Sequence, residues 1–218
     1  MKLVTFQSGE AFEILKKAGV LRVDESKIDF PRYERPYNFI VKSMLSRCIK
    51  PAAGQGYPLW AWAKCGAHIG PKKIPNKTHK VQNKVKITFE KKDSDVLISD
   101  YMAYSFILSG QIVPKTRAEY EHFEQELIRL GISKDALKAW VRGQDNSKIP
   151  APKIEATWKN IFDLKSNVYQ CCFWELKLDE IIRVDKLEDR DYLYGSMNAV
   201  RADGTRPDWK QKYMRFLR

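Results

Sequence analysis

Val85, Ile87 and Phe89 alternate with Lys84, Lys86 and Thr88, and this period of two is the tightest local constraint in the chain. Successive strand side chains point to opposite sides, so the segment reads as a half-buried strand with one apolar face and one polar, cationic face. Further strands are predicted over residues 3–7, 59–63, 96–99, 168–178 and 181–184, with a short extended stretch over 20–23. Helices are predicted over 9–18, capped by Ser8 and stopped by Gly19, over 37–48, and over 101–108 behind an Asp100 cap. Thr116 and Glu119 form a capping box ahead of Tyr120, Phe123, Leu127 and Leu130 at helical spacing. Ser133 begins a shorter helix through Trp140, and residues 144–153, with Pro150 and Pro152, read as a linker.

Strands at both ends with helices mainly between them argue for an α+β fold rather than a doubly wound parallel sheet. The expectation is one compact domain over residues 1–187, with a mixed, mainly antiparallel β core flanked by helices. It carries a basic surface loop at 64–83 and a helical insertion at 115–143. Residues 188–218 read as a charged C-terminal extension.

Charge sets the class of ligand. Residues 35–89 contain no Asp or Glu and eleven Lys and Arg, in a protein of net charge +12. Tyr37, Phe39, Tyr57, Trp60, Trp62 and Phe89 are interleaved with those cations. Positive charge attracts a polyanion and flat rings offer faces for bases to stack on, which points to RNA or DNA. Lys64, Lys72, Lys73, Lys77, Lys80, Lys84 and Lys86 are the candidate phosphate contacts. A lysine-rich surface that merely keeps the chain in solution is the other reading.

Several chemistries find no motif. There is no phosphate loop of the G-x-x-x-x-G-K-S/T type, no G-x-G-x-x-G, no G-x-S-x-G and no H-E-x-x-H. Cys65, His68 and His79 lack a second tight ligand pair, so no metal is expected. Cys48, Cys65, Cys171 and Cys172 read as reduced thiols, with the adjacent pair facing opposite ways on a strand. No apolar run is long enough to span a bilayer and no secretion signal is evident, so the expected location is the cytoplasm, away from membranes.

The remaining candidates are polar residues set in apolar strands. Thr5 and Gln7 share one face of the first strand. Gln170 shares a face with Cys172 and Trp174, and Glu175 shares the other with Tyr169, Cys171 and Phe173. Burying such groups costs a few kcal/mol unless they are hydrogen-bonded or used, so each either faces water, bonds backbone, or lines a site. Trp60 and Trp62 point the same way, into a core or onto a ligand. Arg47, one turn past Met44, either reaches solvent along its stem or clamps a phosphate.

These segments together resemble a family of small bacterial proteins known only as a domain of unknown function. The resemblance rests on Thr5 and Gln7, on Tyr37, Met44 and Arg47, on Tyr57–Trp62 (Y-P-L-W-A-W), on Val96–Tyr101 (V-L-I-S-D-Y) and on Tyr169–Leu176 (Y-Q-x-x-F-W-E-L). It spans most of the chain and departs in the loop at 64–83 and in the tail after 188. In layout the chain also resembles compact bacterial ADP-ribosyltransferase toxins, although the Arg or His usual on their first strand is absent. That resemblance implies NAD as co-substrate, held by Thr5, Gln7, Arg47, Trp60 and Trp62. It implies Gln170 and Glu175 as catalytic groups stabilising an oxocarbenium-like centre, a nucleic-acid acceptor with RNA favoured, and a role as a toxin or phage-defence effector with an antitoxin or other operon partner. The alternatives are a nucleic-acid-binding protein without catalysis and a toxin or inhibitor that acts by binding a host protein.

Overall fold

The computed structural model describes residues 1–25, 33–51, 56–71, 74–75, 84–188, 192–193 and 213–217. Among them the chain forms two compact units. One comprises Met1–Val23, Ile49–Ile98 and Gln170–Asp208, and the other Asp24–Cys48, Ser99–Tyr169 and Trp209–Arg218. The fold is α+β, with a mainly antiparallel β core and six α-helices among the described residues.

The first unit is built on β1 (Lys2–Ser8), β3 (Leu59–Cys65), β5 (Lys84–Glu90), β7 (Val168–Phe173) and β9 (Ile181–Lys186). With β6 (Leu97–Asp100) they form a six-stranded sheet in the order β6-β7-β3-β1-β5-β9. The unit boundaries fall inside β6 and β7. β1 pairs antiparallel with β3, Val4 opposite Trp62, and with β5, Thr5 opposite Ile87. β5 pairs antiparallel with β9, and the register slips by one residue between Thr88 and Phe89.

Alternation sorts the sheet into two faces. Leu3, Leu59, Ala61, Val85, Ile87, Phe89, Cys171 and Phe173 share one buried cluster with Leu15 of helix α1 (Gly9–Ala18). Ile87 and Phe89 are completely buried, and burial of such a side chain stabilises the fold by about 1.5–3 kcal/mol. Helix α1 has the expected ends, with Ser8 Oγ accepting the Ala11 amide at 3.1 Å and Gly19 at φ +73°. That left-handed conformation suits glycine.

The long strand expected over 168–178 breaks at Trp174, whose indole N–H donates to the Ile49 carbonyl at 2.9 Å. Beyond the break, β8 (Glu175–Lys177) leaves the main sheet and pairs antiparallel with β2 (Val20–Arg22). A parallel pair, β4 (Ile74–Pro75) with β10 (Tyr192–Leu193), makes the β structure mixed. β3 runs on to Cys65, inside the segment expected to be loop. Cys65 and His68 then exchange backbone hydrogen bonds across a tight turn.

The second unit is helical. It contains α2 (Glu34–Leu45), α3 (Tyr101–Ile107), α4 (Arg117–Arg129), α5 (Lys134–Val141) and α6 (Ala151–Trp158). The Thr116–Glu119 capping box and the Ser133 and Asp100 caps form as the sequence predicts. Two expectations shift. The helix expected over 37–48 spans Glu34–Leu45, with Pro36 in its first turn. The linker expected over 144–153 contains the start of α6, with Pro152 in the first turn, where the absent N–H costs nothing. Trp158 anchors the core of this unit. Its ring meets Phe39 edge-on at 5.5 Å and lies 5.8 Å from Trp140, and its N–H donates to the Gln111 carbonyl at 3.1 Å. No helix among the described residues is long and apolar enough to cross a membrane.

Candidate functional site

The face of the main sheet opposite the apolar cluster carries two tryptophans and a phenylalanine together with several lysines. By alternation it presents Trp60, Trp62 and Lys64 from β3, Val4 and Phe6 from β1, Lys84, Lys86 and Thr88 from β5, and Gln170 and Cys172 from β7. Phe6 stands opposite Lys86, and Val4 lies between Trp62 and Thr88. Burial is graded across the face. Val4, Gln170 and Cys172 are buried, Phe6, Trp60, Trp62, Lys84 and Lys86 are half-buried, and Lys64 is exposed. The turn after Cys65 closes part of it. Gly70, at φ +82°, is so near that a Cβ there would lie 3.3 Å from Val4 and 3.5 Å from Trp62.

Lys84 is the most informative cation. Partial burial disfavours its charged form and lowers its pKa below 10.5. A lysine held where its charge is poorly hydrated gains from an anionic ligand that replaces the lost water. Lys72, Lys73, Lys77 and Lys80 lie outside the described residues.

The residues expected to hold a dinucleotide do not gather in one place. Thr5 and Gln7 belong to the face with Ile87 and Val85, opposite to that of Trp60, Trp62 and Gln170. They also satisfy each other: Gln7 Nε2 donates to Thr5 Oγ1 at 2.8 Å, and Thr5 Oγ1 donates to the Trp60 carbonyl at 2.9 Å. Gln170 is buried, and its Nε2 has no hydrogen-bond partner among the described residues.

Glu175 departs from the sequence reading, which set it on the same strand face as Tyr169, Cys171 and Phe173. The break at Trp174 carries it onto β8, where it faces Arg22 across the β2–β8 ribbon. Arg22 donates to Glu175 Oε2 through Nε at 3.1 Å and Nη2 at 2.7 Å, and Lys177 lies 3.5 Å from the other oxygen. Desolvation raises this carboxyl, but the bonds and charge of Arg22, with Lys177 behind, outweigh it and leave the pKa below the ordinary value.

Arg47 belongs to the helical unit and lies just past the end of α2 rather than within it. Its guanidinium donates to the Ser43 carbonyl at 3.0 Å and stacks 4.2 Å above the Phe162 ring. There it closes a helix C-terminus, a role that fits its charge. No group of three or more His, Cys, Asp or Glu suited to a metal occurs among the described residues.

Sequence reasoning passed over Lys91. It is buried, pairs with Glu180 at 2.7 Å and lies 5.7 Å from the Phe173 ring centroid. The only sequence signal for it is a cation directly after the alternating strand, which does not distinguish a buried lysine from a solvated one.

No curated protein and no solved structure matches the chain. A family model described as a domain of unknown function, DUF3841, matches residues 2–182. That match runs through the basic segment at 64–83, where the sequence resemblance was expected to depart, and stops within β9. With more than four-fifths of its length covered by that model, the chain belongs to the DUF3841 family.

Proposed function

We propose that this protein binds nucleic acid through the β3–β1–β5 sheet face. The observation that carries the reading is the placement of Trp60, Trp62 and Phe6 on the same face as Lys64, Lys84 and Lys86. Strand spacing of about 3.3 Å per residue separates side chains two apart by a distance suited to successive bases, and neighbouring strands lie about 4.8 Å apart. Rings then take base faces while the ammonium groups on the flanking strand take phosphates. The net charge of +12 supplies long-range attraction for a polyanion.

The transferase reading asks Gln7, Gln170 and Glu175 to share one cavity with a dinucleotide. Gln7 and Gln170 lie on opposite faces of the sheet and Glu175 on a separate ribbon, so the geometry favours binding over NAD chemistry.

Fluorescence anisotropy with labelled RNA and DNA oligonucleotides over a salt series tests this. Binding should weaken steeply with salt. Lys84→Ala with Lys86→Ala should reduce the logarithmic salt slope by about 1 per lysine. Equal affinity and slope in the wild type and the double variant would exclude this face. Saturable stabilisation by NAD, lost in Gln170→Ala, would favour the transferase instead.

A further inference from the structure

The helical unit contains a cationic hollow of its own. A hollow of about 280 Å³ opens between α5, the end of α3 and Tyr33. Lys134, Lys138 and Arg142 line it, spaced four residues apart, which places them on one side of the segment. Its lining includes no Asp or Glu among the described residues. Asp135 pairs with Lys138 at 2.8 Å and also feels the charge of Arg142, whereas Lys134 has no ion-pair partner among the described residues. Three cations around a concavity, with one nearby carboxylate to offset them, favour an anion there.

Two neutral groups narrow the ligand class. Tyr33, 37% exposed, contributes an aromatic ring to the lining. Gln111 is buried in the wall; its Nε2 donates to Glu124 Oε1 at 2.9 Å, and its Oε1 has no partner among the described residues. The bond to Glu124 fixes which end of the amide is the donor, so the remaining oxygen is an acceptor awaiting a donor. Cations for a phosphate, a ring for a planar group and an acceptor for an exocyclic amine are the elements of a mononucleotide site. We infer that this hollow binds a nucleoside monophosphate, with the phosphate on Lys134 and Arg142 and the base against Tyr33.

The test uses the full chain, with AMP, GMP, CMP and UMP as probes and adenosine and inorganic phosphate as controls, read by calorimetry and thermal shift. Monophosphates should bind saturably and raise Tm, and adenosine should bind more weakly than AMP. Lys134 and Arg142 are exposed, so Lys134→Glu with Arg142→Glu should leave the circular dichroism spectrum unchanged. Each lost charge-assisted contact is expected to weaken monophosphate binding about tenfold. Tyr33→Ala should erase the advantage of AMP over inorganic phosphate. Absence of saturable binding by all four monophosphates would overturn the inference, as would a folded Lys134→Glu/Arg142→Glu variant that binds like the wild type.

Discussion

Asp100 and Ser166 are joined twice: Asp100 Oδ2 accepts the Ser166 backbone amide at 2.6 Å, and Oδ1 accepts the Ser166 hydroxyl at 2.8 Å. The same Oδ1 caps α3 by accepting the amides of Met102 and Ala103. One fully buried carboxylate therefore fixes both a helix start and the approach to β7. Asp100→Ala removes a cap worth about 1 kcal/mol and strands buried donors at about 1–3 kcal/mol. The expected loss is about 3 kcal/mol, read as a lower urea midpoint. Ser166→Ala should cost less, because the Ser166 amide keeps its acceptor.

The Glu175–Arg22 pair makes a pH-dependent contribution. The carboxyl has a lower pKa folded than its ordinary 4.5, so its stabilisation is fully present above the unfolded value and is lost as pH falls through the folded value. Glu175→Gln should destabilise the protein by a few tenths to about 1 kcal/mol at neutral pH. The difference from wild type should shrink as pH falls below 4.5 and through the folded value, as followed by chemical denaturation across an acid series.

Under the proposed function, Lys84 would give up stability for binding. Its pKa is lower folded than unfolded, so the unfolded chain binds more protons between the two values and stability rises with pH through that interval. Replacing it with Met removes a poorly hydrated charge while keeping the stem. Lys84→Met is expected to raise Tm slightly and to weaken nucleic-acid binding. A variant that loses stability, with affinity unchanged, would identify Lys84 as a structural residue only.

Thiol reactivity should divide the cysteines by environment. Cys171 is buried, which pushes its pKa up to about 12, and Cys172 is driven well above its ordinary value for the same reason. Cys48 is exposed and Cys65 half-buried. Thiolate is the reactive form, so a disulfide reagent at pH 8 should titrate two thiols in the native protein and four in denaturant. Mass spectrometry should locate the first two at Cys48 and Cys65.

Lys91 and Glu180 form a largely buried pair, with side chains 5% and 21% exposed. Removing only the acid leaves the more deeply buried ammonium without its partner, which is costlier than leaving the better-hydrated carboxylate without its own. Glu180→Gln should destabilise by more than Lys91→Met, and a double-mutant cycle should return a coupling between them.

Local chemistry made the helix caps legible: Ser8, Asp100, Thr116 and Ser133 each hold a short-range bond that depends on neighbouring residues alone. The alternation in β5 likewise fixed which residues face the core. The break at Trp174 was hidden because Leu176 and Leu178 carry the alternation on past it, while the Ile49 carbonyl that accepts the Trp174 indole lies 125 positions away. Distance along the chain also hid the division of Gln7 from Gln170. Periodicity says which residues of one strand share a side, but only the pairing of strands says which sides of two strands coincide. Proline in the first turn of α6 imitated a linker, since the sequence carries the breaker and the initiator in the same residue.

The slipped register between Thr88 and Phe89 leaves Ile182, half exposed, as a supernumerary residue on the last described strand of the sheet. Next to it Arg183 and Asp185 are bonded to each other at 2.6 Å along the same strand. A rim that skips a rung and carries a charged clasp is a poor template for a neighbouring chain to copy. That margin therefore offers little purchase for edge-to-edge association between copies.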